Sequence, residues 1–276
     1  APIVFHILHD DTVNEINKNK LSLIADNSGN GIEFHHFNPD IFGALADSMN
    51  RFTIGTMFRI MLPDIMPDLK KIIYLDSDLF VNTDIEELWN LNIDDYCLAA
   101  APDCSTIRNW GTPYAVAAGQ TSRDGYFNAG VLCMNLENIR KNGNLFQQVM
   151  DYLNANSETW LPDQDALNAI FSGKTLLIDE KWNYFIDEAR KNNDKAEKKI
   201  YHYAATLLML YTNNEIDRAY YFTILRTPWG KQVEDGLLSR SMGRIVDRTG
   251  MLEKLLKKST QNNIRFVFYG GEDSSI

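Results

Sequence analysis

Cysteine is scarce in this chain and basic residues do not predominate, and both features narrow the class of protein. The three cysteines, Cys97, Cys104 and Cys133, form no Cys-x-x-Cys pair and leave one over. We therefore expect reduced thiols in a cytoplasmic protein rather than a disulfide framework or a zinc knuckle. The formal net charge of −10 argues against a clustered basic surface, so we expect no nucleic-acid partner. An acidic protein that handles anionic ligands commonly recruits a cation.

Long apolar runs are also missing. No stretch approaches the roughly 18 apolar residues of a membrane-spanning helix, and no basic region precedes the apolar residues 2–5. We therefore expect neither a membrane span nor a signal peptide. With 276 residues and 45% hydrophobic content, the chain suits one large α/β domain with or without a small helical appendage.

Apolar runs and helical patterns alternate along the first part of the chain. This order is typical of a mainly parallel sheet flanked by helices, and the first run, residues 2–9, reads as a strand buried on both faces. The predicted strands are 2–9, 32–37, 72–75, 96–101, 126–136 and 175–178. The predicted helices are 12–27, 53–66, 83–89, 144–154 and one starting near 161, with a long irregular loop over 102–124.

The C-terminal part differs in character. Residues 232–258 read as an amphipathic helix rich in arginine and lysine, which is typical of a solvated helix face and also fits contact with a membrane surface or a partner. A strand-like run follows at 264–269. We predict a main domain over 1–230 and a helical extension over 231–276, in a cytoplasmic protein that can lie at the inner face of the membrane.

Two carboxylates follow the predicted strand 72–75, which reads as the most plainly buried one. Residues two apart in an extended segment point to the same side, so Asp76 and Asp78 are expected to present their carboxylates together at the end of the strand. Hard oxygen donors with a nearby imidazole suit Mg²⁺ or Mn²⁺, which commonly bridge to a diphosphate. A calcium-binding EF-hand loop is disfavoured because Phe80 and Val81 stand where that loop needs an oxygen ligand and then glycine.

Four blocks in order give this chain a family resemblance. They are residues 71–78 (KIIYLDSD), 88–89 (LW), 126–132 (YFNAGVL) and 161–168 (LPDQDALN). Together they resemble glycosyltransferase family 8, over about residues 3–230. The resemblance implies a GT-A fold, a UDP-glucose or UDP-galactose donor, dependence on Mn²⁺ (or Mg²⁺), and retention of anomeric configuration. The implied acceptor is a glycan, glycolipid or glycoprotein of a bacterial surface.

Matched position by position, the resemblance assigns the metal to Asp76, Asp78 and His202, with Ser77 between the aspartates. It places Arg59 near the donor sugar and phosphate. Without the resemblance, His202 also reads as a packed core residue and Arg59 as a helix-surface ion pair.

The resemblance also implies sites around the sugar. Asn128 and Asp163 match residues that hold sugar hydroxyls, and Asp103 matches a position near donor and acceptor, although a loop-forming role fits Asp103 nearly as well. Gln164 matches the residue on the face of the donor sugar where the nucleophile of a double displacement would be sought. Because an amide is a poor nucleophile, we favour front-face attack by the acceptor hydroxyl, with the departing phosphate accepting its proton.

Two departures from the family pattern bear on function. The family's first βα unit, which grips uracil and ribose, has no counterpart ahead of residue 3, and we expect a truncated chain or replacement by the strand at 264–269. Leu207 stands where the family usually has a phosphate-contacting lysine, and the later Thr227-Pro228-Trp229 fits either a helix terminus or a displaced phosphate clamp. A non-catalytic binding or partner module with the same fold is the main alternative, and a metal-dependent phosphohydrolase with Asp76 as nucleophile is a weaker one.

Overall fold

The computed structural model describes residues 2–42, 54–109, 111–204, 206 and 214–236. The chain divides into two compact units. The first comprises Ala1–Ala189 with Glu197–Ala204, and the second comprises Arg190–Ala196 with Ala205–Ile276. The predicted domain boundary near residue 230 stays a prediction, because nearly all of the extension lies outside the described residues.

The strands are β1 Val4–His9, β2 Gly31–His36, β3 Lys71–Leu75, β4 Leu79–Val81, β5 Leu98–Pro102, β6 Phe127–Asn135, β7 Thr175–Leu177, β8 Tyr184–Phe185 and β9 Ile200–His202. The α-helices are α1 Glu15–Asn27, α2 Leu62–Ile65, α3 Glu86–Trp89, α4 Cys104–Asn109, α5 Tyr114–Ala117, α6 Leu136–Lys141, α7 Leu145–Ala155, α8 Pro162–Ile170, α9 Ile186–Asn192 and α10 Glu215–Leu225. Three 3₁₀ segments cover Pro39–Phe42, Ile54–Met61 and Glu180–Asn183.

A four-stranded sheet in the order β3-β6-β5-β7 forms the centre of the first unit. Strand β6 is antiparallel to β3 and β5, while β7 is parallel to β5, so β3, β5 and β7 run in one direction. Leu132 and Met134 of β6 face one core cluster, and Val131 and Cys133 face another. Strand β6 is therefore buried on both faces, and the predicted mixed α/β fold is confirmed.

A second sheet, in the order β4-β9-β8, brings distant parts of the chain together. Strand β4 is antiparallel to β9, with Leu79 opposite His202, and β8 is parallel to β9. Strand β4 begins directly after Asp78. This pairing fixes His202 beside the Asp76–Asp78 turn.

Strands β1 and β2 pair in parallel as expected, but they form a sheet of their own among the described strands. The prediction that the first strand is buried on both faces is wrong, since Val4 is 51% and Phe5 is 40% exposed. Strand β1 has one described neighbour, β2, and only its carboxyl end reaches the main core, through Leu8. An apolar run thus predicted the strand correctly and its environment incorrectly.

Two predicted segments differ in type. The predicted helix over 53–66 is a 3₁₀ segment followed by the short α2. Two local features disfavour one continuous α-helix: Pro63 has no N–H to donate, and Arg59 Nε donates to the Thr56 carbonyl at 2.8 Å. The predicted irregular loop over 102–124 contains α4 and α5, and the first of these is capped by Asp103, which accepts from the Thr106 amide at 2.8 Å.

The described part of the second unit centres on α10. Asp217, fully buried on this helix, accepts two hydrogen bonds from Arg190, at 2.9 and 2.8 Å. After α10, the Thr227 hydroxyl donates to the Ile224 carbonyl at 2.7 Å, which fits the helix-terminus reading of Thr227-Pro228-Trp229. Residues 230–236 are helical, while the rest of the predicted basic helix, the strand at 264–269 and Leu207 lie outside the described residues.

No helix within the described ranges combines the length and apolar character needed to cross a bilayer.

Candidate active site

The site forms where β3 ends. The Asp76 amide still donates to the Gly130 carbonyl of β6 at 2.8 Å, and the chain then turns through Ser77 and Asp78 into β4. The Tyr203 amide donates to the Asp78 carbonyl at 2.9 Å, extending the pairing of β9 with β4 to the turn. Backbone pairing on both sides therefore fixes the position of this turn.

Three side chains predicted as metal ligands converge here. His202 Nε2 lies 3.2 Å from Asp78 Oδ1 and 3.9 Å from Asp76 Oδ2, and the three ligand atoms all lie within 4.8 Å of one another. The side chain of His202 is 4% exposed, that of Asp76 22% and that of Asp78 46%, while Ser77 is exposed. Two carboxylates and one imidazole, open to one side, fit Mn²⁺ or Mg²⁺ with further positions for phosphate or water.

The orientation of His202 is set by a buried asparagine. Asn183 Nδ2 donates to Asn128 Oδ1 at 2.7 Å, so Asn183 Oδ1 faces His202 Nδ1, 2.8 Å away, and must accept its proton. With the proton on Nδ1, the neutral form of the ring would present the lone pair of Nε2 toward the two aspartates, as binding of a metal there would require. This is the arrangement by which an outer hydrogen bond orients a metal-binding imidazole.

Arg59 lies beneath the aspartates, 3% exposed. Its Nη2 donates to Asp76 Oδ1 at 2.9 Å, its Nη1 donates to the Ala129 carbonyl, and its Nε lies 3.3 Å from Asp163 Oδ2. The guanidinium also stacks over the Tyr74 ring at 4.7 Å. Burial disfavours the charged form, but Asp76, Tyr74 and Asp163 outweigh it and raise the pKa of Arg59. The arginine is therefore a permanent cation that links β3 to α8.

Gln164 joins the remaining predicted residues into one buried amide network. Its Oε1 accepts from Asn128 Nδ2 and from the Ala129 amide, both at 3.0 Å. Its Nε2 donates to Asp103 Oδ2 at 2.8 Å and to the Tyr126 hydroxyl at 3.2 Å. Asn128 also donates to Asp103 at 3.1 Å. Both acceptor positions and both N–H groups of the Gln164 amide are thus engaged within the protein.

The pKa values of the Asp78 and Asp163 carboxyl groups are shifted in opposite directions. Burial opposes ionisation of Asp78, but in the metal-free site a hydrogen bond from the protonated form of His202, together with the positive charges of that form and of Arg59, outweighs burial and lowers the pKa of Asp78. Burial dominates at Asp163 and raises the pKa of that carboxyl despite the neighbouring Arg59. Asp78 therefore loses its proton more readily than a free aspartate does, whereas Asp163 takes one up more readily.

All predicted site residues lie in the first unit and fall into two connected groups. Arg59 connects the Asp76–Asp78–His202 cluster to Asp163, and Asn128 connects it through Asn183 to Gln164 and Asp103. Whether these residues bind metal and donor stays a prediction.

The structure adds three residues that the sequence did not indicate. Asn183 orients His202, the Tyr74 hydroxyl donates to Asp76 Oδ1 at 2.7 Å, and Gly130 leaves room for the cluster. A Cβ atom on Gly130 would lie 2.4 Å from His202 Cε1 and 2.9 Å from Asp76 Oδ2. Gly130 belongs to a block used for the resemblance, but its role becomes visible only when β6 lies against the Asp76 turn.

The fold defines the class of protein. A solved structure of the galactosyltransferase LgtC in complex with donor and acceptor sugar analogues superposes with a TM-score of 0.69 at 20% identity, covering 83% of this chain and 96% of that one. At this identity the likeness shows the fold alone, which is the GT-A fold of glycosyltransferases.

The family follows from the sequence match. The chain belongs to glycosyl transferase family 8, whose model matches residues 1–207. The chain is 30% identical over 179 residues to general stress protein A of Bacillus subtilis, covering 63% of this chain and 60% of that protein. It is 29% identical over 168 residues to the lipopolysaccharide 1,3-galactosyltransferase of Salmonella typhimurium, covering 56% and 49%. The chain thus spans between about half and three fifths of these relatives.

Proposed function

We propose that the chain carries the metal-dependent donor site of a retaining glycosyltransferase. The reaction moves glucose or galactose from a UDP-sugar to a glycan, glycolipid or glycoprotein acceptor. The observation that carries the proposal is the convergence of Asp76, Asp78 and His202 within 4.8 Å at the end of a central strand, in a chain of family 8. The name of the Salmonella relative, a lipopolysaccharide galactosyltransferase, supports a hexose donor and a bacterial surface glycan.

Asp76, Asp78 and His202 would hold Mn²⁺ or Mg²⁺. The cation supplies positive charge to a donor diphosphate and to the UDP leaving group. The protein's contribution is to hold the ligand atoms in place: Arg59 and Tyr74 fix one oxygen of Asp76, and Asn183 fixes the ring of His202. A divalent ion held by these groups would let an acidic protein bind an anionic nucleotide.

Arg59, Asp163 and Asn128 would face the donor on the other side of the cluster. Arg59 contributes a fixed positive charge near the diphosphate, which stabilises charge developing on the departing phosphate. Asp163, whose pKa is raised, can exchange hydrogen bonds with sugar hydroxyls in either protonation state. In this proposal, the ion pair between Arg59 and Asp163 lies against the bound donor.

The hydrogen bonding of Gln164 supports front-face attack. A nucleophile needs a free lone pair, but the carbonyl oxygen of Gln164 accepts from Asn128 and from the Ala129 amide. In the proposed reaction the acceptor hydroxyl forms the new bond to the anomeric carbon on the side from which UDP departs. The leaving phosphate takes the hydroxyl proton, and the configuration is retained.

The experiment compares the chain with Asp78→Asn, which removes one ligand charge while preserving size. UDP release from UDP-glucose and UDP-galactose is measured with Mn²⁺ and with EDTA, and NMR identifies the anomer of the transferred or released sugar. We expect turnover only with the metal, a loss of about 100-fold or more in Asp78→Asn, and retained configuration. Asp95→Asn, at an exposed aspartate, is the matched control and should behave as wild type.

Full turnover in Asp78→Asn, or in EDTA, would contradict the proposal. Calorimetry with UDP and Mn²⁺ separates the main alternative: tight metal-dependent UDP binding without turnover on any donor and acceptor tested would indicate the non-catalytic binding module.

A cytoplasmic location, with the basic segment beyond residue 232 at the membrane surface, belongs to the same proposal. Co-sedimentation with anionic vesicles tests the membrane contact.

A further inference from the structure

Histidines are concentrated on one small sheet, far along the chain from the Asp76 turn. Four of the five histidines belong to β1 or β2. The parallel register places His6 opposite Glu33 and Leu8 opposite His35. Because side chains alternate between faces along a strand, His6, Glu33 and His35 share one face.

The opposite face carries Phe34 and is partly covered by α1, whose Lys18 lies over the Phe34 ring at 5.9 Å. The histidine face holds Leu8, which packs against the main core. The side chains of His6 and His35 are 21% and 24% exposed, and that of Glu33 is 60% exposed. The cluster is therefore at the margin of the core, preformed by the sheet and accessible from solvent.

Three donor atoms converge on this face. His6 Nδ1 lies 3.0 Å from His35 Nε2 and 3.4 Å from Glu33 Oε2, and His35 Nε2 lies 3.9 Å from the same oxygen. Ligands about 2.0–2.2 Å from a tetrahedral zinc ion stand roughly 3.3–3.5 Å apart. Shifts of a few tenths of an ångström would make this triangle one face of such a tetrahedron.

We propose that His6, Glu33 and His35 form a second metal site, which takes a Zn²⁺-class ion and joins β1 to β2. Two imidazoles and one carboxylate favour Zn²⁺, Cu²⁺ or Ni²⁺ over Mg²⁺ and Mn²⁺, in contrast to the carboxylate-rich cluster around Asp76. Solvent fills the fourth position because Glu33 is exposed.

The ion stabilises a sheet in which β1 and β2 have only each other as strand neighbours among the described residues. Two-stranded sheets are marginally stable alone, and residues 4 and 5 of β1 are half exposed. The unfolded chain does not bring β1 and β2 together, so an ion that binds the folded site raises the melting temperature.

The test titrates Zn²⁺ into the metal-free full chain, without a polyhistidine tag, and follows stoichiometry by calorimetry and the melting temperature. His35→Ala should bind one Zn²⁺ fewer than wild type and lose the zinc-induced rise in melting temperature. Glu33→Gln, at a surface position that tolerates the change, should weaken zinc binding at this site at least tenfold. The matched control is His36→Ala, the next residue on β2, whose ring pairs with Asp11 at 2.8 Å and points to the opposite face. It should retain wild-type stoichiometry.

Asp78→Asn distinguishes this inference from the proposed function, because a zinc ion held by His6, Glu33 and His35 persists when the Asp76–Asp78–His202 cluster is impaired. Unchanged zinc stoichiometry and affinity in both His35→Ala and Glu33→Gln would overturn the proposal. So would loss of an equal amount of zinc in His36→Ala.

Discussion

Replacing Gly130 with alanine places a methyl group directly against the proposed metal ligands. The new carbon would lie 2.4 Å from His202 Cε1 and 2.9 Å from Asp76 Oδ2, whereas carbon atoms in contact stay about 3.5–4.0 Å apart. The His202 ring must therefore retreat by about 1 Å or more. Two neighbours oppose this movement of the His202 ring. Asn183 Oδ1 lies 2.8 Å from His202 Nδ1, and the centroid of the Phe185 ring lies 5.4 Å from that of the His202 ring.

A shift of this size exceeds the roughly 0.2 Å tolerance of metal–ligand distances. Loss of an outer-shell partner typically weakens metal binding 10–100-fold, and displacing a ligand itself should cost at least as much. We expect Gly130→Ala to fold, with a lower melting temperature, and to bind Mn²⁺ at least 100-fold more weakly. Calorimetry or the electron paramagnetic resonance signal of Mn²⁺ gives the affinity for Mn²⁺, and circular dichroism in EDTA checks the fold.

Gly31→Ala is the matched control, because Gly31 is also a strand glycine and its added Cβ would meet Val4 Cγ2 at an ordinary 3.4 Å. It should leave Mn²⁺ affinity unchanged. Wild-type Mn²⁺ affinity in Gly130→Ala would refute the claim that β6 must approach the cluster without a side chain at this position.

Three further predictions concern buried groups around the site. Asn183→Ala removes the acceptor of the His202 Nδ1 proton. It should weaken Mn²⁺ binding about 10–100-fold in calorimetry, and transfer from the UDP-sugar should fall in parallel. Unchanged Mn²⁺ affinity would exclude the orienting role of Asn183. Asn168→Ala leaves the buried backbone N–H and carbonyl of Phe127 without their partner. The free energy of unfolding, measured in urea, should therefore fall by about 2–4 kcal/mol. A loss below about 1 kcal/mol would show that water replaces the Asn168 side chain. Burial raises the pKa of Cys133 to about 11, so its thiol is neutral at pH 8 and mass spectrometry should find it unlabelled by iodoacetamide until urea is added; labelling of the native protein at pH 8 would contradict its burial.

The parts of the site that could be predicted are those written locally in the chain. Asp76 and Asp78 follow a recognisable strand, and their spacing alone suggested adjacent carboxylates. His202 could be added only through the family resemblance, because it reaches the aspartates by the pairing of β9 with β4. Its isolated position before an apolar run is equally typical of a core histidine.

The residues that could not be predicted act through long-range register. Asn183 has its meaning only because the 3₁₀ segment before β8 lies between Asn128 and His202. The exposure of β1 was missed for a related reason: an apolar run reports the tendency of residues to form a strand, whereas burial depends on how many neighbours the strand finds. Of the two helices in the predicted loop, the first begins at a local cap, Asp103, whose side chain also serves the amide network. The second has no local side-chain cap, and its Ala115 amide donates to the distant Asp165.

The pairing of β4 with β9 also determines when the site can come into existence during synthesis. His202 lies more than a hundred residues beyond Asp78, so a nascent chain that already contains both aspartates has no third ligand until β9 emerges. The loop between them must close before the ligands meet, and such non-local closure is slow compared with helix formation. An ion bound at the Asp76–Asp78–His202 cluster therefore could not assist the early folding of this chain, and it would stabilise only molecules in which the first unit is already nearly complete.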